Sequence, residues 1–349
     1  MPRRLSFTRL VLLVTLVVTA LVTGCSQPSA SPSVAATRSV TDVLGNVVEI
    51  PTTVTRIVTA YPAVDQIFLL LGAQDKVVAL NKNNTTNDLL LTLAPEYADL
   101  PVVFDSSSNF DTEALLAVNP DVVIAGSQEV ADAVQQVGIP AVVAMSTSPD
   151  TLKQTITLIG DILGATDRAE EFIAYYDDNM AQATQRTESL TDAERTRVYY
   201  ATGTGPLNTE AKGSIVTDWI EMAGGTNVAT DAGVEGMFVD ISAEQLFSWD
   251  PEVIICTSAQ SCAQFLDDDV YADLTAVKNK AVYPSPSGAY TWSVRSAEEA
   301  TMTLWAATKI QPDLFTDVDY VQITKDFYEQ FYGYALTDEQ TEAILEPSA

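Results

Sequence analysis

The segment EALLAVNPDVVI at residues 113–124 returns as EQLFSWDPEVII at residues 244–255. Glu113 and Glu244 lie 131 positions apart, and so do Pro120 and Pro251. In each copy a short helical stretch stops at the proline, whose ring disfavours helix in the residue before it. An acidic residue follows, and then a run of apolar residues with no polar alternation, the pattern of a strand covered on both faces. The glutamate near each helix start is favoured there by the helix dipole. A helix leading into a buried strand, repeated at a fixed offset, predicts two similar α/β halves.

The flanking sequence extends that pattern. Residues 56–60, 76–80, 121–125 and 141–144 read as strands, separated by helical spacing at 63–71, 111–118 and 128–137. Alternation of this kind predicts a parallel sheet with crossover helices. Residues 151–163 are amphipathic and end at Gly164. From Thr166 to about Leu190 one helical pattern continues, with Phe172, Ile173, Tyr176 and Met180 on one side. The alternation then resumes, with strands at 198–201, 253–256 and 281–283, helices at 215–222 and 243–249, and mainly helix after Ala297. The expected fold class is α/β, with two doubly wound parallel-sheet lobes, 40–165 and 191–349, joined by one long rigid helix at 166–190. Such a connection predicts small lobe motions rather than wide hinge closure.

The first 24 residues read as a secretory signal. Arg3, Arg4 and Arg9 precede thirteen uncharged, mostly apolar residues at 10–22, too few for the ~20 that a membrane-spanning helix needs. Val22, Thr23, Gly24 and Cys25 then resemble a bacterial lipobox, which implies that Cys25 carries diacylglyceryl after cleavage. Residues 25–39 are rich in Ser, Pro and Ala and are expected to form a flexible tether.

The whole chain has 18 basic and 47 acidic residues and no histidine. An acidic surface of this size disfavours nucleic acid as a partner. The lack of histidine removes the commonest general base and metal ligand, together with Ser-His-Asp and Cys-His arrangements. Besides Cys25 only Cys256 and Cys262 are present. In an exported protein they are candidates for a disulfide, the alternative being two buried thiols. Two cysteines without histidine make a poor zinc site, and no metal centre is expected.

Residues 56–58 leading into Leu70-Leu71-Gly72-Ala73, the paired Glu-x6-Pro-acid-Val segments, SIVTDWIEMAGGTN at 214–227, WSVRSAE at 292–298 and FYEQFYGYALTDEQTEAIL at 327–345 are together similar, in that order, to the substrate-binding lipoproteins of ABC importers. The subgroup is the one that takes iron–siderophore complexes, haem, corrinoids or oxyanions. The resemblance covers about residues 40–345. It implies a monomer, lipid-anchored on the outer face of the cytoplasmic membrane, that delivers cargo to a permease dimer with its ATPase subunits. It also implies that Glu113 and Glu244 dock into basic pockets of that permease.

In parallel α/β lobes a ligand binds beyond the carboxyl ends of the strands. The loops there offer Tyr61, Asn109 and Phe110 from the first half. The second half offers Asn208, Lys212, Phe238, Tyr290, Trp292 and Arg295. Aromatic side chains supply flat apolar contact, and arginine pairs with carboxylate or oxyanion groups. Trp292 and Arg295 have an equally good structural reading, as packing for the last helices. The cargo ranked first is an iron chelate of the siderophore type, followed by a corrinoid or haem, then an oxyanion such as molybdate. No cofactor beyond the lipid is expected. A competing class, an extracellular carboxylate-dependent hydrolase, needs two acids flanking one bond. The matched glutamates instead sit on equivalent helices of different halves.

Overall fold

The computed structural model describes residues 36–203 and 205–348. Cys25 and the signal segment 1–24 lie outside the described residues. The described chain opens on an antiparallel hairpin, β1 (Thr37–Thr41) and β2 (Val47–Pro51). The hairpin takes Thr37 to Ser39 out of the stretch that composition assigns to a tether. Those residues are paired with Pro51, Ile50 and Glu49, and Arg38 reaches the Asp161 carboxylate at 2.7 Å.

The first lobe holds five parallel strands: β3 (Ile57–Thr59), β4 (Val77–Asn81), β5 (Val102–Phe104), β6 (Val122–Ala125) and β7 (Ala141–Val143). Their spatial order is β5-β4-β3-β6-β7. The chain winds outward from β3 on one side and then crosses to β6 on the other, leaving a topological switch point between β3 and β6. In the second lobe β8 (Thr196–Ala201), β10 (Gly225–Asn227), β12 (Val253–Cys256) and β13 (Val282–Pro284) run parallel. The short antiparallel strands β9 (Asn208–Thr209) and β11 (Val239–Asp240) extend the sheet beyond β8. At two residues each, they are too short to leave a periodic signal in sequence.

The 131-residue repeat is deeper than its quoted letters. Asp111 and Ser242 cap the helices Thr112–Val118 and Ala243–Trp249. Both helices end on a left-handed residue, Asn119 at φ 41° and Asp250 at φ 40°. Leu115 and Leu246 are both fully buried beneath them. Asp121 accepts the Arg56 N–H, and Glu252 accepts the Arg197 N–H, fixing each strand to its neighbour. Ser127 and Ser258 then cap helices Gln128–Gln136 and Ala259–Asp267. The acid after each proline is therefore a strand clasp.

The helix Thr166–Thr187 packs on Glu299–Ile310, which is buried along nearly its whole length. Asn179 donates to the Ala300 carbonyl at 3.0 Å, and Tyr176 donates to the Glu299 carboxylate. Phe331 meets Phe172 and Tyr175 edge-on at 5.3 and 5.1 Å. The connection is a cluster of helices joined by aromatic contacts. Cys256, at the end of β12, is disulfide-bonded to Cys262 in the following helix. No helix among the described residues is long and apolar enough to cross a membrane.

Candidate functional site

Tyr61 follows β3 at the switch point of the first lobe. A Cβ placed on Gly126, which follows β6, would lie 3.3 Å from the Tyr61 ring, so only glycine lets the ring rest there without adjustment. Asn81 and Asn84 donate to the carbonyls of Ala60 and Pro62 at 3.0 and 2.8 Å, fixing the turn that carries the tyrosine. Burial pushes the Tyr61 hydroxyl up to about 12, and the positive charge of Arg295 acts the other way. Tyr61 and Arg295 thus lie within electrostatic reach of each other across the two lobes.

Arg295 lies in a buried stretch without regular structure, between β13 and the helix Glu299–Ile310. Its backbone is left-handed, φ 51°, a conformation that costs a non-glycine residue roughly 1–2 kcal/mol. Its Nη2 and Nη1 face the two oxygens of Glu210 at 3.3 and 3.5 Å. The Glu210 side chain is wholly buried and that of Arg295 only 9% exposed. Burial alone would favour a neutral guanidine, but the Glu210 carboxylate beside it keeps Arg295 charged. Nη1 also touches the Met237 sulfur at 3.2 Å, and the guanidinium carbon lies 5.5 Å from the Phe238 ring centre. Phe238 itself has φ 56° and is 58% exposed. Two adjacent segments thus adopt rarely populated backbone to set a cation against an exposed ring, the kind of stored strain that accompanies ligand sites.

The loop before Arg295 is fastened from both lobes. Glu298, fully buried, accepts the N–H groups of Ala289 at 3.1 Å and Tyr290 at 2.8 Å and the Tyr328 hydroxyl. Burial pushes its carboxyl up to about 7, opposed by those donors, Tyr328 foremost. From the first lobe, Asn87 donates to the carbonyls of Gly288 and Ala289 at 3.2 and 2.9 Å. A Cβ on Gly288 would overlap the Tyr328 hydroxyl and the Glu298 carboxylate. Overpacking of this kind costs about 1–3 kcal/mol. Gly288→Ala is therefore expected to lower the melting temperature by several degrees, measured by thermal denaturation; an unchanged melt would show that the loop can move aside.

The structure brings Tyr61, Phe238, Tyr290 and Arg295 together; burial raises the Tyr290 hydroxyl pKa, and the Arg295 charge opposes that rise. The other candidates go elsewhere. Trp292 is fully buried in the main core, so it packs the last helices rather than facing a ligand. Lys212 is ion-paired with Glu235 at 2.7 Å on the surface, with both side chains 67% exposed. Asn208 donates to Asp240 across β9 and β11 at 2.7 Å. Asn109 closes its own loop on Asp105 and Ser106, and Phe110 packs on Phe104 at 5.2 Å. Glu113 and Glu244 are exposed in the first turns of their helices. Glu210 was not among the sequence candidates. It lies in the loop after β8 that sequence assigns to the cleft, but as one acid among 47 it carries no signal of its burial.

Two α/β lobes joined through helices, with a charged and aromatic site built from loop residues, define a bilobal solute-binding protein. A family model described as periplasmic binding protein matches residues 57–289, and the chain belongs to that family. It serves an ABC transporter as a binding protein and is not an enzyme. The chain is similar to the molybdate-binding protein MolA of Haemophilus influenzae, 28% identical over 340 residues, covering 89% of this chain and 95% of the relative. The solved structure of MolA bound to molybdate superposes with a TM-score of 0.78 at 26% identity, covering 86% of this chain and 99% of the other. A cobalamin-binding protein of Halobacterium salinarum is 26% identical over 233 residues, covering 65% of this chain and 60% of the relative.

Proposed function

We propose that this protein captures a small oxyanion of the molybdate type between its lobes and delivers it to an ABC permease. The observation that carries this reading is the buried Arg295 guanidinium, paired with Glu210 and set beside the Phe238 ring, with Tyr61 of the other lobe within its electrostatic reach. A guanidinium keeps its charge in a desolvated cleft and carries five donors, so donors remain beyond the two that face Glu210. Charge-assisted bonds to an anion are roughly twice as strong as neutral ones. The similarity to a relative named for molybdate supports the same cargo class. The overall charge of −29 does not oppose it, because charges beyond about 8 Å are screened at physiological salt. A second reading, an iron chelate of the siderophore type, draws support from the exposed Phe238 ring beside the Arg295 cation.

In this reading the protein is an exported monomer held at the membrane by lipid on Cys25. Two acyl chains would anchor it stably where one would not. Glu113 and Glu244, one on each lobe, would engage two like basic sites on the permease dimer. Tethering raises the effective concentration for docking, so each contact need only be weak.

Native mass spectrometry of protein purified from its source, followed by calorimetric titration with molybdate, sulfate and a ferric siderophore, tests the cargo. Stoichiometric molybdate binding is expected. A bound iron chelate together with no heat from molybdate would overturn the first reading in favour of the second.

A further inference from the structure

The repeat carries one more matched pair. Leu116 and Phe247 stand 131 positions apart, three residues after Glu113 and Glu244 respectively. On a helix, residues three apart are surface neighbours. Both side chains are exposed, Leu116 at 50% and Phe247 at 36%, while the preceding leucines, Leu115 and Leu246, are fully buried. The core demand of each short helix is therefore met by Leu115 and Leu246, yet at the next position Leu116 stays half exposed and Phe247 keeps 36% of its surface exposed. The second lobe enlarges the patch: Phe247 stacks on Tyr271, with centroids 6.3 Å apart and planes at 15°, and Val270 beside Tyr271 is 58% exposed.

We infer that each lobe presents the permease with an acid and an apolar knob side by side, Glu113 with Leu116 and Glu244 with Phe247. The inference rests on the docking reading above and adds what the carboxylates alone cannot supply. Two exposed ion pairs give steering and register but little affinity, and they weaken with salt. An apolar contact is insensitive to salt and holds once the pair has met. The matching surface on the partner is a twice-repeated basic residue beside an apolar socket, with the socket for the second lobe wide enough for an aromatic ring. The two knobs differ in size, so the protein would favour one orientation on a symmetric permease dimer only if the two sockets differ as well.

The test uses the lipidated full chain and its permease complex reconstituted in nanodiscs, with docking affinity measured across a salt series. Leu116→Ser with Phe247→Ser is expected to weaken docking by roughly ten- to thirtyfold at every salt concentration, leaving the salt slope unchanged. Glu113→Lys with Glu244→Lys is expected to weaken docking at low salt and flatten the slope. Ligand titration should match the parent in both variants, since none of the four side chains is among the contacts of Arg295. Thermal melting is expected to fall modestly in both, through the lost Phe247–Tyr271 stack in one and the reversed charges at helix starts in the other, with the protein folded at the docking temperature. If the glutamate variant loses docking but the serine variant docks like the parent, the apolar knobs are refuted and the docking reading stands. If neither variant changes docking, the docking reading fails and takes the knobs with it.

Discussion

Arg295→Ala is expected to abolish measurable ligand capture and, separately, to destabilise the protein. A hydrogen bond to a charged group contributes about 1.5–3 kcal/mol. Losing the guanidinium should therefore weaken binding of an anion by ten- to more than a hundredfold for each bond lost. The structural effect has a different origin. Glu210 would remain in the interior without the guanidinium that now faces both of its oxygens. Breaking a buried pair from one side costs about 3–5 kcal/mol, whereas removing both partners together is often neutral. The double variant Arg295→Met with Glu210→Leu should thus recover most of the stability and none of the binding. Chemical denaturation and calorimetric titration of the parent and both variants separate the two effects. Binding that survives in the stable double variant would exclude Arg295 from the ligand site.

Much of the architecture was legible because it is written in local terms that repeat. Proline after a left-handed residue, an acid after the proline and an unbroken apolar run each have one structural meaning, and they recur at a single offset. The long helix was legible from its unbroken period. The hairpin at residues 37–51 was not, because its strands are five residues each and border a Ser/Pro-rich segment. The site was legible by loop but not by contact. Arg295 and Trp292 are three positions apart in one loop, yet one pairs with the buried Glu210 while the other is sealed in the core. Lys212 reads as an available cation in sequence, but the fold places Glu235 beside it. Buried acids are the hardest class to foresee in this chain: Asp65, Glu210, Glu298 and Glu299 differ from the other acids only in where the fold has put them.

Three of those buried acids, Asp65, Glu298 and Glu299, predict that the protein loses stability as pH rises from about 5.5 to 8. Burial pushes the Asp65 carboxyl from 3.8 up to about 8, against one hydrogen bond from Asn84, and its Oδ1 is buried with no hydrogen-bond partner. Burial pushes Glu298 up to about 7 and holds Glu299 well above the ordinary carboxyl range. In the unfolded chain these groups release their protons near pH 4 to 4.5, so above that range the native state binds more protons than the unfolded state. The slope of stability against pH is then negative. The stabilising contribution is complete below the unfolded values and disappears as pH passes through the folded ones. A proton held tenfold more tightly by the folded chain than by the unfolded one is worth about 1.4 kcal/mol, so the sum across this window is of order several kcal/mol. Surface acids held low by cations, such as Asp317 by Arg186 and Asp338 by Lys325, act in the opposite sense, but below the ordinary carboxyl range and outside this window. Urea titrations at pH 5.5 and 8 measure the difference. Asp65→Asn should flatten the profile and be more stable than the parent at pH 8, since the amide has no charge to bury. Stability that holds level or rises over this interval would mean that the interior accepts these charges, through water or local opening. Because Glu298 fastens the loop that Asn87 grips from the other lobe, that result would also predict a looser contact between the lobes at alkaline pH.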